Sequence, residues 1–191
     1  MEIELKFSIS QEELTKFLQS EFFCKQHLEG SCEVLQLESI YYDTCDRRFR
    51  KEGTAYRVRS TRFSNGKVEY ESTTKRTLKK KNGLSSREEI NEAQSDDSPK
   101  YADVKELFRT VVTRKIYLLK YGAAVVEMAI DRGLLKAING RSEIIEEVEF
   151  ELKQGTEQDL ENLRLELGKI AEFEEKPQSK YARGLALLGE A

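Results

Sequence analysis

Hydrophobic and polar positions alternate with a period of two through most of the chain. The opening, MEIELKF, puts Glu2, Glu4 and Lys6 on one face of an extended strand and Ile3, Leu5 and Phe7 on the other. The same alternation recurs in LESIYYDT (37–44), TAYRVRS (54–60), KVEYESTTK (67–75), SREEIN (86–91), TRKIYLL (113–119), VVEMAID (125–131) and IEEVEFEL (145–152). Asn65-Gly66 predicts a tight hairpin between two of these strands, and Tyr121-Gly122-Ala123 joins two more. KKKNG (79–83) and NEAQSDDSP (91–99) read as loops, the triple lysine as a solvated one.

Four stretches carry helical signals instead. Ser10 with Glu13 reads as a capping box ahead of Leu14, Phe17 and Leu18. Ser98-Pro99 reads as an N-cap and first-turn proline before Val104, Leu107 and Phe108. Thr156 precedes a stripe of Leu160, Leu163, Leu167 and Ile170, and Ser179 opens a last helix with Tyr181, Leu185 and Leu188. Many strands with a few intercalated helices predict an α+β fold with a mostly antiparallel sheet. No repeat and no linker divides the sequence, so residues 1–191 are expected to form a single domain.

Each strand has one apolar face and one charged face of mixed sign. Arg57 and Arg59 share a face, as do Glu69, Glu71, Thr73 and Lys75, then Arg87, Glu89 and Asn91. Glu127 and Asp131 stand opposite Val126, Met128 and Ile130, and Glu147, Glu149 and Glu151 stand opposite Val148, Phe150 and Leu152. An open antiparallel sheet, with helices on one side and water on the other, accounts for any one of these strands. It accounts less well for the segregation among them: carboxylates gather on the first and last strands, arginines and lysines on the middle ones.

Closely spaced carboxylates raise one another's pKa unless a cation sits between them. Oxygen donors without His or Cys suit a hard ion such as Mg²⁺ or Mn²⁺. Arginine forks facing such an ion suit polyphosphate. The chain has no GxxxxGK[ST] and no GxGxxG, so side chains must bind any phosphate. If the sheet closes, its edges disappear, the apolar faces point outward under the helices and the charged faces line a lumen.

Composition narrows this picture. Thirty-two Lys+Arg against 35 Asp+Glu leave a net charge of −3, which argues against a protein that coats nucleic acid by bulk charge. A mean hydropathy of −0.64 would suit a disordered chain, but eight Tyr, nine Phe and clear periodicity indicate a folded one. Charges at positions 2, 4 and 6 leave no signal-peptide core, and no apolar run approaches the roughly 20 residues of a membrane helix. Cys24, Cys32 and Cys45, with no CxxC among them, read as free thiols in a reducing cytosol. His27, the sole histidine, is expected on a surface loop.

With these residues in order, the chain resembles the CYTH superfamily, the triphosphate tunnel metalloenzymes, which include inorganic triphosphatases, thiamine triphosphatases and class IV adenylyl cyclases. The resemblance begins with ExExK at Glu2-Ile3-Glu4-Leu5-Lys6 and continues through YYDT at 41–44, Arg57-x-Arg59, Lys75 and Arg87-x-Glu89. It runs on through Arg114, E-x-A-x-D-x-G at 127–133, E-x-E-x-E at 147–151 and SKYARGL at 179–185. Where some relatives have a longer acidic run after R-x-E, this chain has Asn91.

The resemblance implies a closed antiparallel eight-stranded β-barrel, a tunnel with a charged lumen and amphipathic helices outside. It implies a cytoplasmic, Mg²⁺- or Mn²⁺-dependent enzyme acting on a triphosphate-containing small molecule rather than on nucleic acid or a membrane. Carried over residue by residue, Glu2, Glu4, Glu147 and Glu149, assisted by Asp131, correspond to metal ligands. Lys6, Arg57, Arg59, Lys75, Arg87, Arg114, Lys180 and Arg183 correspond to phosphate contacts, and Glu89, Glu127 and Glu151 to supporting groups. Hydrolysis of inorganic triphosphate leads, since it needs no organic pocket; adenylyl cyclisation, thiamine triphosphate hydrolysis and non-catalytic polyphosphate or nucleotide binding are the alternatives.

Overall fold

A computed structural model describes residues 2–81, 84–176 and 178–190. In chain order its elements are β1 (Glu2–Ser8), α1 (Gln11–Leu18), α2 (Glu21–Gln26), β2 (Glu33–Thr44), α3 (Arg48–Lys51), β3 (Thr54–Arg62) and β4 (Val68–Lys81). They continue as β5 (Leu84–Gln94), β6 (Val104–Tyr121), β7 (Ala124–Ala137), β8 (Ser142–Gln154), α4 (Glu157–Ile170), β9 (Glu174–Glu175) and α5 (Lys180–Leu188). All eight expected strands are present, most of them longer than their alternating segments.

The strands follow the order β5-β4-β3-β2-β6-β7-β8-β1, and β1 then pairs back onto β5, from Glu2 opposite Arg87 to Leu5 opposite Leu84. Every pairing is antiparallel, so the sheet is a closed eight-stranded barrel. Beyond Leu5 the same edge of β1 pairs with the two-residue β9. Tight turns at Gly66 and Gly122, both at positive φ, close the two hairpins that the sequence predicts.

The alternation sorts the core. Leu5, Phe7, Val126, Met128, Val148 and Phe150 point outward and pack under α1, α2 and α4 with Leu14, Phe17, Phe23, Leu160, Leu163 and Leu167. Helix α4 starts at a full capping box, in which Thr156 and Asp159 exchange side-chain and backbone hydrogen bonds. In α1 only half the box forms: Ser10 accepts from Glu13 N, while the Glu13 carboxylate accepts from Glu172 N and ties the helix to the end of α4.

Inside, the inward face changes character along the barrel. Leu35, Leu37, Val112, Leu135 and Ile145 share the parity of the charged lumen residues, yet they form an apolar cluster with Phe108, Tyr41 and Leu185. Helix α5 lies against this cluster, with Gly184 on the Phe108 ring, so one end of the barrel is filled and the other is left charged.

Three expectations need correction. Residues 98–108 form no helix: Ser98 N donates to Asp96 in a turn, and Val104 begins an 18-residue strand. A bulge opposite Tyr41 and Tyr42 lets the adjacent Leu107 and Phe108 both enter the core, which imitates helical spacing; the β-branched run Thr110–Thr113 favours the strand. Lys79–Lys81 continue β4 in place of a loop, and Asn91–Gln94 complete β5; Asn82 and Gly83 lie outside the described residues. His27 is half-buried, stacked on Phe23 and edge-on to Tyr117 at the end of α2, a helix that, like α3 and β9, the pattern does not announce.

Candidate active site

Strand alternation turns the charged faces into the lumen of one cavity, about 330 Å³ in volume. Strand β1 contributes Glu2, Glu4 and Lys6, β8 Glu149 and Glu151, β7 Glu127, and β6 Arg114. Opposite them β3 contributes Arg57 and Arg59, β4 Lys75, β5 Arg87 and Glu89, and the start of α5 Lys180. The walls differ in how their charges are paired.

On the β7–β8 side the carboxylates are sunk and fully matched. Asp131 and Glu147 stand directly opposite in the register, an arrangement that costs stability unless a cation intervenes. Lys180 Nζ supplies it, contacting Asp131 at 2.7 Å and Glu149 at 3.1 Å, and Glu147 as well. Arg114 forks onto Asp131 with two 2.7 Å hydrogen bonds and reaches Glu149 at 2.6 Å. Lys6 sits 2.6 Å from Glu149. Burial opposes ionisation of Asp131, which is 1% exposed, but Arg114 and Lys180 outweigh it and hold the carboxyl down to about 2. Burial likewise works against Glu149, yet Lys180, Lys6 and Arg114 keep it well below the usual carboxylate range. Reciprocally, Lys180 and Arg114 rise above their ordinary values despite burial, because these acids face them.

Arg183, also from α5, spends its donors on Glu143, Glu147 and the Ile144 carbonyl, so it braces the helix to β8 behind the open lumen. Glu2 accepts from Lys75 at 2.9 Å, and Glu4 from Arg87 at 2.5 Å and Ser85 at 3.4 Å. Lys75 also lies 2.8 Å from Glu89, which is held below its ordinary value, burial notwithstanding. At the mouth, Glu127 and Glu151 stand opposite each other with Lys153 between them at 3.3 and 2.9 Å. Burial raises Glu151, helped by Glu2 and Glu127.

The β3 wall is different. Among the described residues Arg57 has a carboxylate only at 3.8 Å, from Glu89, and its buried Nε has no partner. Arg59 has no carboxylate within ion-pair distance among the described residues; its Nε donates to Ser39 Oγ at 2.8 Å. Depth in the barrel and the adjacent Arg57 and Arg114 charges push Arg59 down to about 9, so at neutral pH it is still a cation, but one lacking an anion. Beside this pair the buried Tyr41 phenol is drawn below its ordinary value: burial would raise it, and Arg57, Arg59 and Lys180 prevail.

Two features emerge together. One is an arginine pole in need of an anion. The other is a trio, Asp131, Glu147 and Glu149, whose oxygens come within 4.8 Å of one another. Oxygen-only donors at that spacing fit a hard divalent cation, and Lys180 now holds the cationic position among them. Glu2 and Glu4 lie outside the trio, on β1 beside β8, where Glu4 stands opposite Glu151 in the register and the two carboxylates pair with Lys75 and Arg87. Ser39 and Tyr41 on β2, and Lys153 on β8, are lumen residues that the charge pattern does not single out. The parity of Leu37, Ser39 and Tyr41 already puts these three on one face.

The sequence matches the model of the CYTH domain over residues 1–185. It is 32% identical over 178 residues to the inorganic triphosphatase of Haemophilus influenzae, across 83% of this chain and 47% of that protein. The chain thus spans about half the length of that curated relative. Among solved structures, the PH1819 protein of Pyrococcus horikoshii OT3 has a TM-score of 0.67 at 24% identity, covering 100% of both chains. A putative adenylyl cyclase from Hippeastrum, described as having a dominant triphosphatase activity, has a TM-score of 0.64 at 17% identity over 100% of this chain and 97% of that one. The capping-enzyme triphosphatase of Mimivirus has a TM-score of 0.57 at 15% identity over 90% of each. These structural likenesses show a common fold.

Proposed function

The chain belongs to the CYTH domain family, and from that premise we propose that it hydrolyses inorganic triphosphate to pyrophosphate and phosphate with a divalent metal, Mg²⁺ or Mn²⁺. The observation that carries this reading is the arginine pole of β3, whose Arg59 has no carboxylate within ion-pair distance among the described residues, facing Glu2, Glu4 and Glu149 across one small cavity, with the buried Asp131 and Glu147 close to Glu149. A compact polyanion bound to a hard cation satisfies both sides at once. The triphosphatase relative supports the same chemistry.

In this reading Glu2, Glu4, Glu147 and Glu149, with Asp131, would hold the metal. When bound, it supplies Lewis-acid charge that polarises the phosphoryl oxygens. Arg57 and Arg59 grip one end of the chain of phosphates, and Lys6, Lys75, Arg87, Arg114 and Lys180 neutralise charge along it as it develops on the transferred group. Arg183 has its donors committed to Glu143, Glu147 and Ile144, which favours a bracing role over phosphate contact. Glu89, Glu127 and Glu151 orient the neighbouring lysines and the water that attacks. The whole chain serves as one tunnel domain in a reducing cytoplasm, where the exposed Cys24, Cys32 and Cys45 stay free.

The test is product identification. Purified protein with Mg²⁺ or Mn²⁺ is given triphosphate, ATP or thiamine triphosphate. Phosphate and pyrophosphate from triphosphate support the proposal. Cyclic AMP from ATP would replace it with a cyclase, hydrolysis of thiamine triphosphate alone with a thiamine triphosphatase, and tight binding without turnover with a polyphosphate binder.

A further inference from the structure

Ser39 is a small, neutral, fully buried residue in a ring of charges, and its place in the barrel is specific. In the β2–β3 register it lies directly opposite Arg59, and its Oγ accepts the Arg59 Nε–H at 2.8 Å. Two residues on, Tyr41 lies directly opposite Arg57. On the β2 side, then, each arginine of the pole is faced by a hydroxyl; on the β4 side Arg57 is faced by Thr73 and Arg59 by Glu71, with no ion pair between Arg59 and Glu71.

Other guanidinium groups in and behind the lumen are held differently. Arg114 is fixed by Asp131 and Glu149, Arg87 by Glu4 and Arg183 by Glu143 and Glu147. A carboxylate orients an arginine well, but it also neutralises the charge and occupies the fork that a ligand would use. A hydroxyl on Nε fixes the plane of the group while leaving both terminal nitrogens, and the full positive charge, to something else. An arginine so held loses less conformational freedom when a phosphate arrives.

We propose that Ser39 is a positioning residue for the substrate anion: it aims the Arg59 fork into the lumen without quenching its charge. The proposal rests on the triphosphate reading of the site. It also explains why a buried strand position between the apolar Leu37 and the aromatic Tyr41 holds a serine.

The experiment measures Kd for triphosphate with Mg²⁺, and kcat and KM for its hydrolysis, in the wild type, Ser39→Ala, Ser39→Thr, Arg59→Ala and the Ser39→Ala/Arg59→Ala double variant. Thermal unfolding of each is followed in parallel. Ser39→Ala is expected to weaken binding about tenfold, in line with a charge-assisted hydrogen bond. Ser39→Thr, which keeps the hydroxyl, should restore affinity to within about threefold, and Ser39→Ala should change little once Arg59 is gone. A structural role alone would lower the unfolding midpoint and weaken binding equally in both Arg59 backgrounds. Wild-type affinity in Ser39→Ala, an Ala-like Ser39→Thr, or an undiminished effect in the Arg59→Ala background would overturn the proposal. If wild-type protein neither binds nor hydrolyses triphosphate, the site reading falls first and takes this role with it. Active wild type with an indifferent Ser39→Ala removes only the role.

Discussion

The β7–β8 wall and the β3 wall face each other across one lumen and solve opposite problems. On the first, three carboxylates stand close together in the interior, and Lys180, Arg114, Lys6 and Arg183 match them contact for contact. On the second, Arg57 and Arg59 sit side by side, with Ser39 and Tyr41 opposite them on β2 and Glu71 opposite Arg59 on β4, and among the described residues their single ion pair is the 3.8 Å contact of Arg57 with Glu89. The first is matched from within the protein, by basic side chains that hold the place a cation would take. The second has its cations set and no anion paired with Arg59 among the described residues. Charged strands look alike in sequence, and partners, not charge alone, separate a wall already matched from one open to a ligand.

The largest expected effect breaks the matched wall. Asp131→Ala leaves Lys180 and Arg114 short of their partner in the interior and should cost about 3–5 kcal/mol of unfolding free energy, read from denaturant midpoints. Arg59→Ala should cost about 1 kcal/mol or less, because it removes a half-buried cation that lacks an anion and gives up only the hydrogen bond to Ser39. Equal losses for the two variants would erase the distinction.

Next in size is the ligand side of the comparison. Arg59→Ala should weaken metal–triphosphate binding by about 1.5–3 kcal/mol, on the order of 10- to 100-fold, as expected for lost charge-assisted hydrogen bonds. Calorimetry of the two proteins measures it, and unaltered affinity would place the anion elsewhere.

Acid sharpens the contrast. Asp131 is held at about 2 against an ordinary value near 3.8, so the unfolded state takes up its proton first. The stability it contributes is complete above about pH 4 and is lost as pH falls through 2, an effect of about 2 kcal/mol. Glu149, also held low, acts in the same direction. Urea unfolding between pH 6 and pH 2 should show the decline, and Asp131→Asn should flatten it.

The smallest effect concerns the seat of α5, the helix that carries Lys180 to the acidic wall. A methyl at Gly184 would overlap the Phe108 ring, which is itself stacked on Tyr41 at 4.6 Å. Overpacking of about 1–3 kcal/mol, offset by the roughly 1 kcal/mol that alanine gains in a helix, leaves Gly184→Ala about 1 kcal/mol less stable. A thermal melt that rose instead would show that α5 is not seated on that ring.

Much of this was readable beforehand because a barrel strand repeats every two residues. The faces of Glu2-Glu4-Lys6, Arg57-Arg59 and Glu147-Glu149-Glu151 could be assigned before any pairing was known. Residues 98–108 misled because Val104, Leu107 and Phe108 carry helical spacing, and a bulge is not visible without the partner strand. The apolar filling at one end was hidden for a related reason. Leu35, Leu135 and Ile145 have lumen parity, and only the placement of α5 reveals that the interior changes from charged to apolar along the axis. Which cation meets which anion depends on register across β1, β6, β7 and β8 and on Lys180 arriving from a distant helix, so no local pattern encodes it. Ser39 is silent for a simpler reason: a lone serine in a strand carries no periodic signal.

The most direct measurement is a titration of Mg²⁺-triphosphate into wild-type protein and Arg59→Ala, with phosphate release followed on the same samples. The account predicts saturable binding and turnover in the wild type, and at least tenfold weaker binding in Arg59→Ala with an unfolding free energy within about 1 kcal/mol of the wild type. Binding and turnover that persist at wild-type level in Arg59→Ala, or a wild type that takes up no triphosphate with either Mg²⁺ or Mn²⁺, would contradict it.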